Sequence, residues 1–250
     1  MRLALFSDIH ANLQALQACL AHAQQEGAQR YAFLGDLVGY GGDPAPVVQC
    51  VMGLAQQGAI VLKGNHDDMA VKPPAIVQTL GESSAPWTHG QLSAEQLAFL
   101  DGLPLVHQLE RALLVHATAD EPARWRYVYT LPIAELSLQA ASALEGVRYV
   151  FGGHVHQQAL YYRGADGQLM SFTPTPGVAL PVSPRRHWLA TIGSVGQPRD
   201  SNPKAMYAIF DSAQHRLTFH RVDYDHLGAA EAIRRAGLTD FFAERLGLGR

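Results

Sequence analysis

Five places in this chain bring together side chains that could bind metal or move protons. They are Asp8 with His10, Asp36, the run Asn65-His66-Asp67, His116, and His154 with His156. Each follows a short apolar run that reads as a buried strand. At residues 31–34 the run stops at Gly35, Asp36 follows at once, and glycines stand at 39, 41 and 42. A carboxylate where a buried strand meets such a loop sits at the carboxyl edge of a sheet, the usual ligand edge of open α/β folds. Histidine is the commonest metal ligand and a proton shuttle. Carboxylate, amide and imidazole without thiolate make a mixed N/O donor set suited to Mn, Fe, Zn, Ni or Mg. Singly each has a plainer reading: His116 as a structural histidine, His154 and His156 as two faces of one strand. Five strand ends carrying such groups together point to one convergent site.

The elements that must position these groups follow from spacing. Apolar runs at 3–6, 31–34 and 59–62 predict three buried strands, separated by helices over about 13–27 and 44–58. Asn12 is placed to cap the first helix and Pro44 to open the second. Strand–helix–strand–helix–strand with short links predicts a parallel, right-handed α/β half. Residues 69–103 read as a helical insertion interrupted by Pro73, Pro74 and Pro86. Runs at 106–110, 112–115 and 148–151 predict further strands, with a helix over 132–144 between the last two. Residues 117–131 look like a loop or small cap. Strands at 160–163, 169–173, 188–192, 205–210 and 217–224 then follow without helices, the first two joined by a hairpin at Asp166-Gly167, and helical spacing returns over 227–246. The layout predicts a single domain over 1–250, with two sheets packed face to face, helices outside, the mainly parallel half first and the antiparallel half second.

Composition excludes several function classes. With 250 residues, 48% of them hydrophobic, the chain can bury a full core. A net charge of -3 gives no basic field for nucleic acid or an anionic membrane. Twelve histidines are more than packing asks for. The two cysteines, Cys19 and Cys50, form neither a disulfide framework nor a thiolate zinc site. The five apolar residues before Ser7 are too few for a signal segment of roughly 7–15, and no apolar run approaches the 18 or so that span a bilayer. A cytoplasmic enzyme is therefore expected.

Taken together, Asp8-x-His10, Gly35-Asp36, Gly64-Asn65-His66-Asp67, His116 and Gly153-His154-x-His156 resemble the motif set of the calcineurin-like metallophosphoesterases, over residues 1 to about 220. The stretches Asp8-Ile-His-Ala-Asn12, Gly35-Asp-Leu-Val-Gly-Tyr-Gly41 and Gly193-Ser-Val-Gly-Gln-Pro-Arg-Asp200 are similar to its compact bacterial and archaeal branch. The resemblance implies an α/β fold in four layers, αββα, around two divalent ions, with Mn(II) the expected metal. Carried over by motif, Asp8, His10, Asp36 and His156 hold one ion, and Asp36, Asn65, His116 and His154 the other. Ions bridged by Asp36, roughly 3.5–4 Å apart, clamp both the attacking and the leaving oxygen of a phosphoryl group. Two such ions against two carboxylates leave about +2, and a bridging hydroxide, the implied nucleophile, about +1. His66 is implied to stand off the metals, protonating the leaving oxygen or stabilising phosphoryl charge. Asp67 is its expected orienting partner, and Asp68 a solvated turn carboxylate.

Substrate is less sharply indicated. Phosphoprotein phosphatases of the superfamily carry Asp-Arg-Gly after the bridging aspartate, whereas this chain has Gly39-Tyr-Gly-Gly-Asp43 there. That departure favours a phosphodiester or a nucleotide anhydride, with dinucleoside polyphosphates a candidate. A phosphomonoesterase acting on phosphoprotein or a small metabolite is the alternative. A non-catalytic scaffold like the retromer subunit of this fold ranks last, because that subunit lacks the histidine equivalent to His66. Trp125, Tyr127 and Tyr129, interleaved with Arg124 and Arg126, can either stack a base and meet phosphates or pack their loop onto the sheet. Trp87 has the same two readings. Arg185, Arg186, His187 and Arg199 read mainly as solvated surface.

Overall fold

The computed structural model describes residues 1–164 and 166–250. The first sheet opens with β1 (Arg2–Phe6), β2 (Arg30–Phe33) and β3 (Ile60–Val61), mutually parallel and linked by α1 (Leu13–Gln25) and α2 (Pro44–Gln56). Asn12 caps α1 as expected, accepting from the Ala15 N–H at 3.0 Å. α3 (Asn65–Val71), α4 (Ala85–Gln91) and α5 (Ala94–Asp101) follow. The second sheet holds β4 (Val106–Leu109), β5 (Ala112–Val115), β6 (Tyr149–Gly152), β7 (Gln158–Arg163), β8 (Leu169–Phe172) and β10 (Trp188–Ile192), with α6 (Leu131–Ser142) crossing between β5 and β6. β9 (Ala179–Pro181), β11 (Ala205–Asp211) and β12 (Arg216–Val222) complete the first sheet, and α7 (His226–Arg235) and α8 (Asp240–Leu248) close the described chain.

Sheet order is β3-β2-β1-β11-β12-β9 in one layer and β4-β5-β6-β10-β7-β8 in the other. Strand alternation sets the layers. Leu3 and Leu5 of β1 face inward, where they meet Phe151, Leu160 and Ile192 of the second sheet. Ala4 and Phe6 face the other way, under Leu16 of α1 and Val47 and Val51 of α2. On the far side Val150 and Leu189 lie beneath Ala134 and Leu138 of α6. The result is αββα.

Four expectations are corrected. The parallel and antiparallel halves are interleaved: β11 lies antiparallel beside β1, and β10 parallel beside β6. β1, β10 and β11 are apolar runs buried on both faces, which suits them to the middle of a sheet. β9 went unseen because it is a three-residue edge strand ending in proline. The helical insertion begins earlier than predicted, since Asn65 and His66 form the first turn of α3; Pro73 and Pro74 do part α3 from α4, whereas Pro86 opens α4 instead of breaking it. The C-terminal helix is two, parted at Gly237 in the left-handed region.

One buried group outside the catalytic edge makes stability depend on pH. His220 of β12 stacks on Tyr207 at 4.8 Å, beside His22, whose Nδ1 lies 2.6 Å from the Tyr207 hydroxyl. Burial first, then the neighbouring His22, pulls the His220 pKa from 6.5 down to about 4. Between those values the unfolded chain binds the proton and the folded chain does not. Stability is therefore full above pH 6.5 and is lost as pH falls toward 4, by up to about 3 kcal/mol from this group. His220→Phe, which keeps the stack, is expected to flatten the urea-midpoint profile between pH 6.5 and 4 relative to wild type. An unchanged profile would contradict it.

Candidate metal centre

Every expected ligand comes from the carboxyl end of a parallel strand. Asp8 follows β1, Asp36 β2, Asn65 β3, His116 β5, and His154 and His156 β6. Backbone hydrogen bonds lace these loops together: Asp8 N donates to Gly35 O, His10 N to Asp36 O, and Gly153 N to His116 O. Asp8, His10, Asp36, His154 and His156 all have positive φ, between 48° and 67°. Non-glycine residues seldom accept that conformation, and a row of them marks a backbone shaped for function rather than economy. Two glycines permit the approach. A Cβ on Gly153 would overlap Ser7 Oγ and Asp8 Oδ2, and one on Gly64 would overlap Asp36 Oδ1.

The side chains converge as the motifs predict. His156 Nε2 lies 3.3 Å from Asp8 Oδ1, His10 Nε2 is 3.7 Å from Asp36 Oδ2, and His116 Nε2 is 3.4 Å from the same oxygen. Asn65 Oδ1 stands 3.3 Å from His116 Nε2. Asp8–His10–His156 and Asp36–His116–His154 each form a compact ligand group, and all these Asp and His side chains are buried.

Backbone carbonyls fix which nitrogen of each ring faces inward. His10 Nδ1 meets Val38 O at 3.1 Å, His116 Nδ1 meets Leu34 O at 2.8 Å, and His156 Nδ1 meets Gln197 O at 2.6 Å. His154 is turned over, its Nε2 on Trp125 O at 2.8 Å. A carbonyl only accepts, so each of these nitrogens carries a proton, and in a neutral ring the other keeps its lone pair. His10 Nε2 and His156 Nε2 then oppose lone pairs 3.1 Å apart, next to Asp8 Oδ1, which is buried with no hydrogen-bond partner. Such a contact is repulsive unless a cation lies between. The residues present therefore fit divalent ions.

Electrostatics agree. Burial, then the nearby His156, holds His10 well below the usual histidine range, and burial with His116 takes His154 down to about 3. Burial also lowers His156. For His116 burial acts the same way, but Asp36 overrides it and lifts the ring to about 9. Burial works to protonate Asp8 and Asp36, yet His156 and His116 respectively hold both carboxyls below their usual values. Ionised carboxylates beside mostly neutral imidazoles make a cage short of positive charge.

Asp67 departs from expectation. Its carboxylate accepts from Asp36 N (2.8 Å) and Gly64 N (2.9 Å) on one oxygen and from Leu37 N (2.8 Å) and Val38 N (3.3 Å) on the other. Burial and the Asp36 charge push its pKa up, but four N–H donors favour the ionised form. Consecutive residues on a helix do not face each other, so a carboxylate at the third position of α3 reaches back to the N-terminus rather than to His66. Asp67 thus pins the Asp36 loop. The His66 ring packs instead against Tyr40 at 4.4 Å and His10 at 4.9 Å, and burial takes its pKa down to about 4. It also falls in a compact group with His10 and Asp36.

Around the cage, Tyr127 stacks on His154 at 3.9 Å and Tyr129 on Tyr127 at 5.3 Å, both rings about half exposed. Trp125 presents its ring edge to His116 at 5.8 Å. Arg126 is bound to Asp120 and Glu121, and Arg124 to Glu121, so neither is free for phosphate. Trp87 is half-buried on α4, Arg185 and Arg186 are exposed between β9 and β10, and His187 sits 3.3 Å from Arg148. Tyr40 and Arg199 were undervalued. Their signals were present, Tyr40 within the glycine loop after Asp36 and Arg199 within Gly193–Asp200, but neither spacing says that the two segments touch.

The model of the calcineurin-like phosphoesterase superfamily domain matches residues 1–215. An uncharacterized protein of Methanocaldococcus jannaschii is 30% identical over 254 positions, covering 99% of this chain and 98% of its own. The crystal structure of a metallophosphoesterase from Sphaerobacter thermophilus is 34% identical, covers 100% of both chains and superposes with a TM-score of 0.88. A hypothetical protein from Pyrococcus horikoshii OT3 shares the fold at a TM-score of 0.78 and 18% identity, over 100% of this chain and 98% of its own.

Proposed function

Because the chain belongs to the calcineurin-like phosphoesterase superfamily, we propose that it is a phosphoester hydrolase using two divalent ions, Mn(II) first among them, and that it prefers phosphodiesters or nucleotide anhydrides to monoesters. The observation that carries the reading is the inward-facing ring nitrogens of His10, His116, His154 and His156, locked by four backbone carbonyls around two ionised aspartates. When bound, the ions supply Lewis acidity toward phosphoryl oxygens and a water acidic enough to attack near neutral pH.

The chain's own residues do the rest. Asp36 directs Oδ2 at both ligand groups while Oδ1 accepts from His66 N at 2.8 Å, which fixes the carboxylate plane. Asp8 is fixed in turn by the His154 N–H, at 2.9 Å from Oδ2. A neutral His66 still has one N–H to donate as a hydrogen bond to a phosphoryl or leaving oxygen, which stabilises the charge that builds there. Tyr127 and Tyr129, stepping outward from His154, offer a stacking face for a nucleoside group, which supports a nucleotide ester such as a dinucleoside polyphosphate. The loop from Leu37 to Asp43 carries no basic side chain, which supports a substrate of lower charge than a terminal phosphate.

With Mn(II) loaded, bis-p-nitrophenyl phosphate is expected to be hydrolysed faster than p-nitrophenyl phosphate. The reverse order would assign a phosphomonoesterase. No turnover of either by metal-loaded protein would leave a scaffold.

A further inference from the structure

Arg199 is built as a functional cation. It lies in the loop after β10, where its own N–H donates to His156 O at 3.2 Å and its carbonyl accepts from Gln157 Nε2 at 2.9 Å. The backbone is thereby tied to a candidate metal ligand and its neighbour. The guanidinium stands over the Tyr40 ring at 5.9 Å, and Nη2 donates to Gln197 Oε1 at 2.8 Å. Tyr40 in turn packs on His66 and His10, so the charge is held beside both.

What the guanidinium lacks is an anion. Among the described residues it pairs with no carboxylate, and its Nε is buried without a hydrogen-bond partner. Two other arginines with an unmet Nε already have carboxylate partners: Arg221 pairs with Asp200, and Arg126 with Asp120 and Glu121. Its charged neighbour is a second arginine, Arg245 of α8, which burial and Arg199 together pull below the usual arginine range. A half-buried guanidinium over the Tyr40 ring, with an N–H unmet and a second arginine nearby, is arranged for a negatively charged visitor. A guanidinium presents a planar fork of donors that fits phosphoryl oxygens.

We infer that Arg199, backed by Tyr40 and Gln197, forms the oxyanion subsite that receives the non-bridging oxygens of the substrate phosphoryl group beside the metal cage. This rests on the phosphohydrolase reading above and adds the side chain that holds the substrate. The subsite lies beside His10, His66 and His156, next to the Tyr127–Tyr129 ladder on His154. A phosphate ester whose other substituent is flat and aromatic can engage the guanidinium and the tyrosine ladder at once.

The test uses Mn(II)-loaded wild type with Arg199→Gln and Arg199→Lys. It reads ion content, the inhibition constant for inorganic phosphate, KM and kcat on bis-p-nitrophenyl phosphate, and rescue by added guanidinium. Arg199→Gln is expected to keep its ions, to weaken phosphate inhibition and raise KM roughly 10–100-fold, the scale of one lost charged hydrogen bond, and to regain turnover with guanidinium. Arg199→Lys is expected to fall between the two. Wild-type phosphate inhibition and KM in Arg199→Gln would overturn the subsite while leaving the hydrolase reading intact. Wild-type protein that holds two ions but neither binds phosphate nor turns over ester would overturn both.

Discussion

Asp36→Asn is expected to release both ions together. One oxygen of Asp36 lies within 3.7 Å of His10 Nε2 and 3.4 Å of His116 Nε2, so it belongs to both ligand groups. The other oxygen accepts from the His66 N–H at 2.8 Å. An amide has one oxygen, and either orientation fails. With its NH2 toward the cage, the ions lose their shared acceptor. With its NH2 toward His66, two donors collide in a buried space, a costly arrangement. Mutating a mere outer partner of a ligand commonly costs ~10–100-fold in metal affinity, and each site should weaken by at least that much here. Calorimetric titration with Mn(II) reads the effect. One ion retained at wild-type affinity would show that Asp36 serves a single site.

His66→Ala is expected to do the opposite: ions stay and turnover falls roughly 10²–10⁴-fold, the usual share of a positioned acid or hydrogen-bond donor. Its ring leans on Tyr40 and His10 rather than on a carboxylate, and it is kept neutral by burial. The geometry also groups it with His10 and Asp36. Metal analysis beside the rate measurement therefore decides its role. An ion lost along with activity would make His66 a ligand.

Much of this site could be read in the chain before its fold was known. Asp8, Asp36, His116 and His154 each announce themselves as polar residues ending an apolar run, and parallel strands must gather such ends at one edge. What the sequence does not encode locally is the second ring of contacts. Leu34, Val38, Trp125 and Gln197 meet the histidine rings through their carbonyls, and a carbonyl carries no residue signature. Asp67 misled because adjacency in sequence suggested a partnership with His66 that helical geometry forbids. Arg199 and Tyr40 meet because the loops after β10 and β2, strands of different sheets, come together, a relation of topology rather than spacing. The interleaving of β11 beside β1 was hidden for the same reason: buried runs reveal that they are central, not which neighbour they take.

The decisive measurement is the ion stoichiometry of purified protein, stripped with chelator, reloaded with Mn(II), freed of excess metal and analysed by mass spectrometry of its elements. Two divalent ions per chain are predicted, with both lost in Asp36→Asn. A chain that retains none, or that saturates at one, would contradict the dinuclear cage.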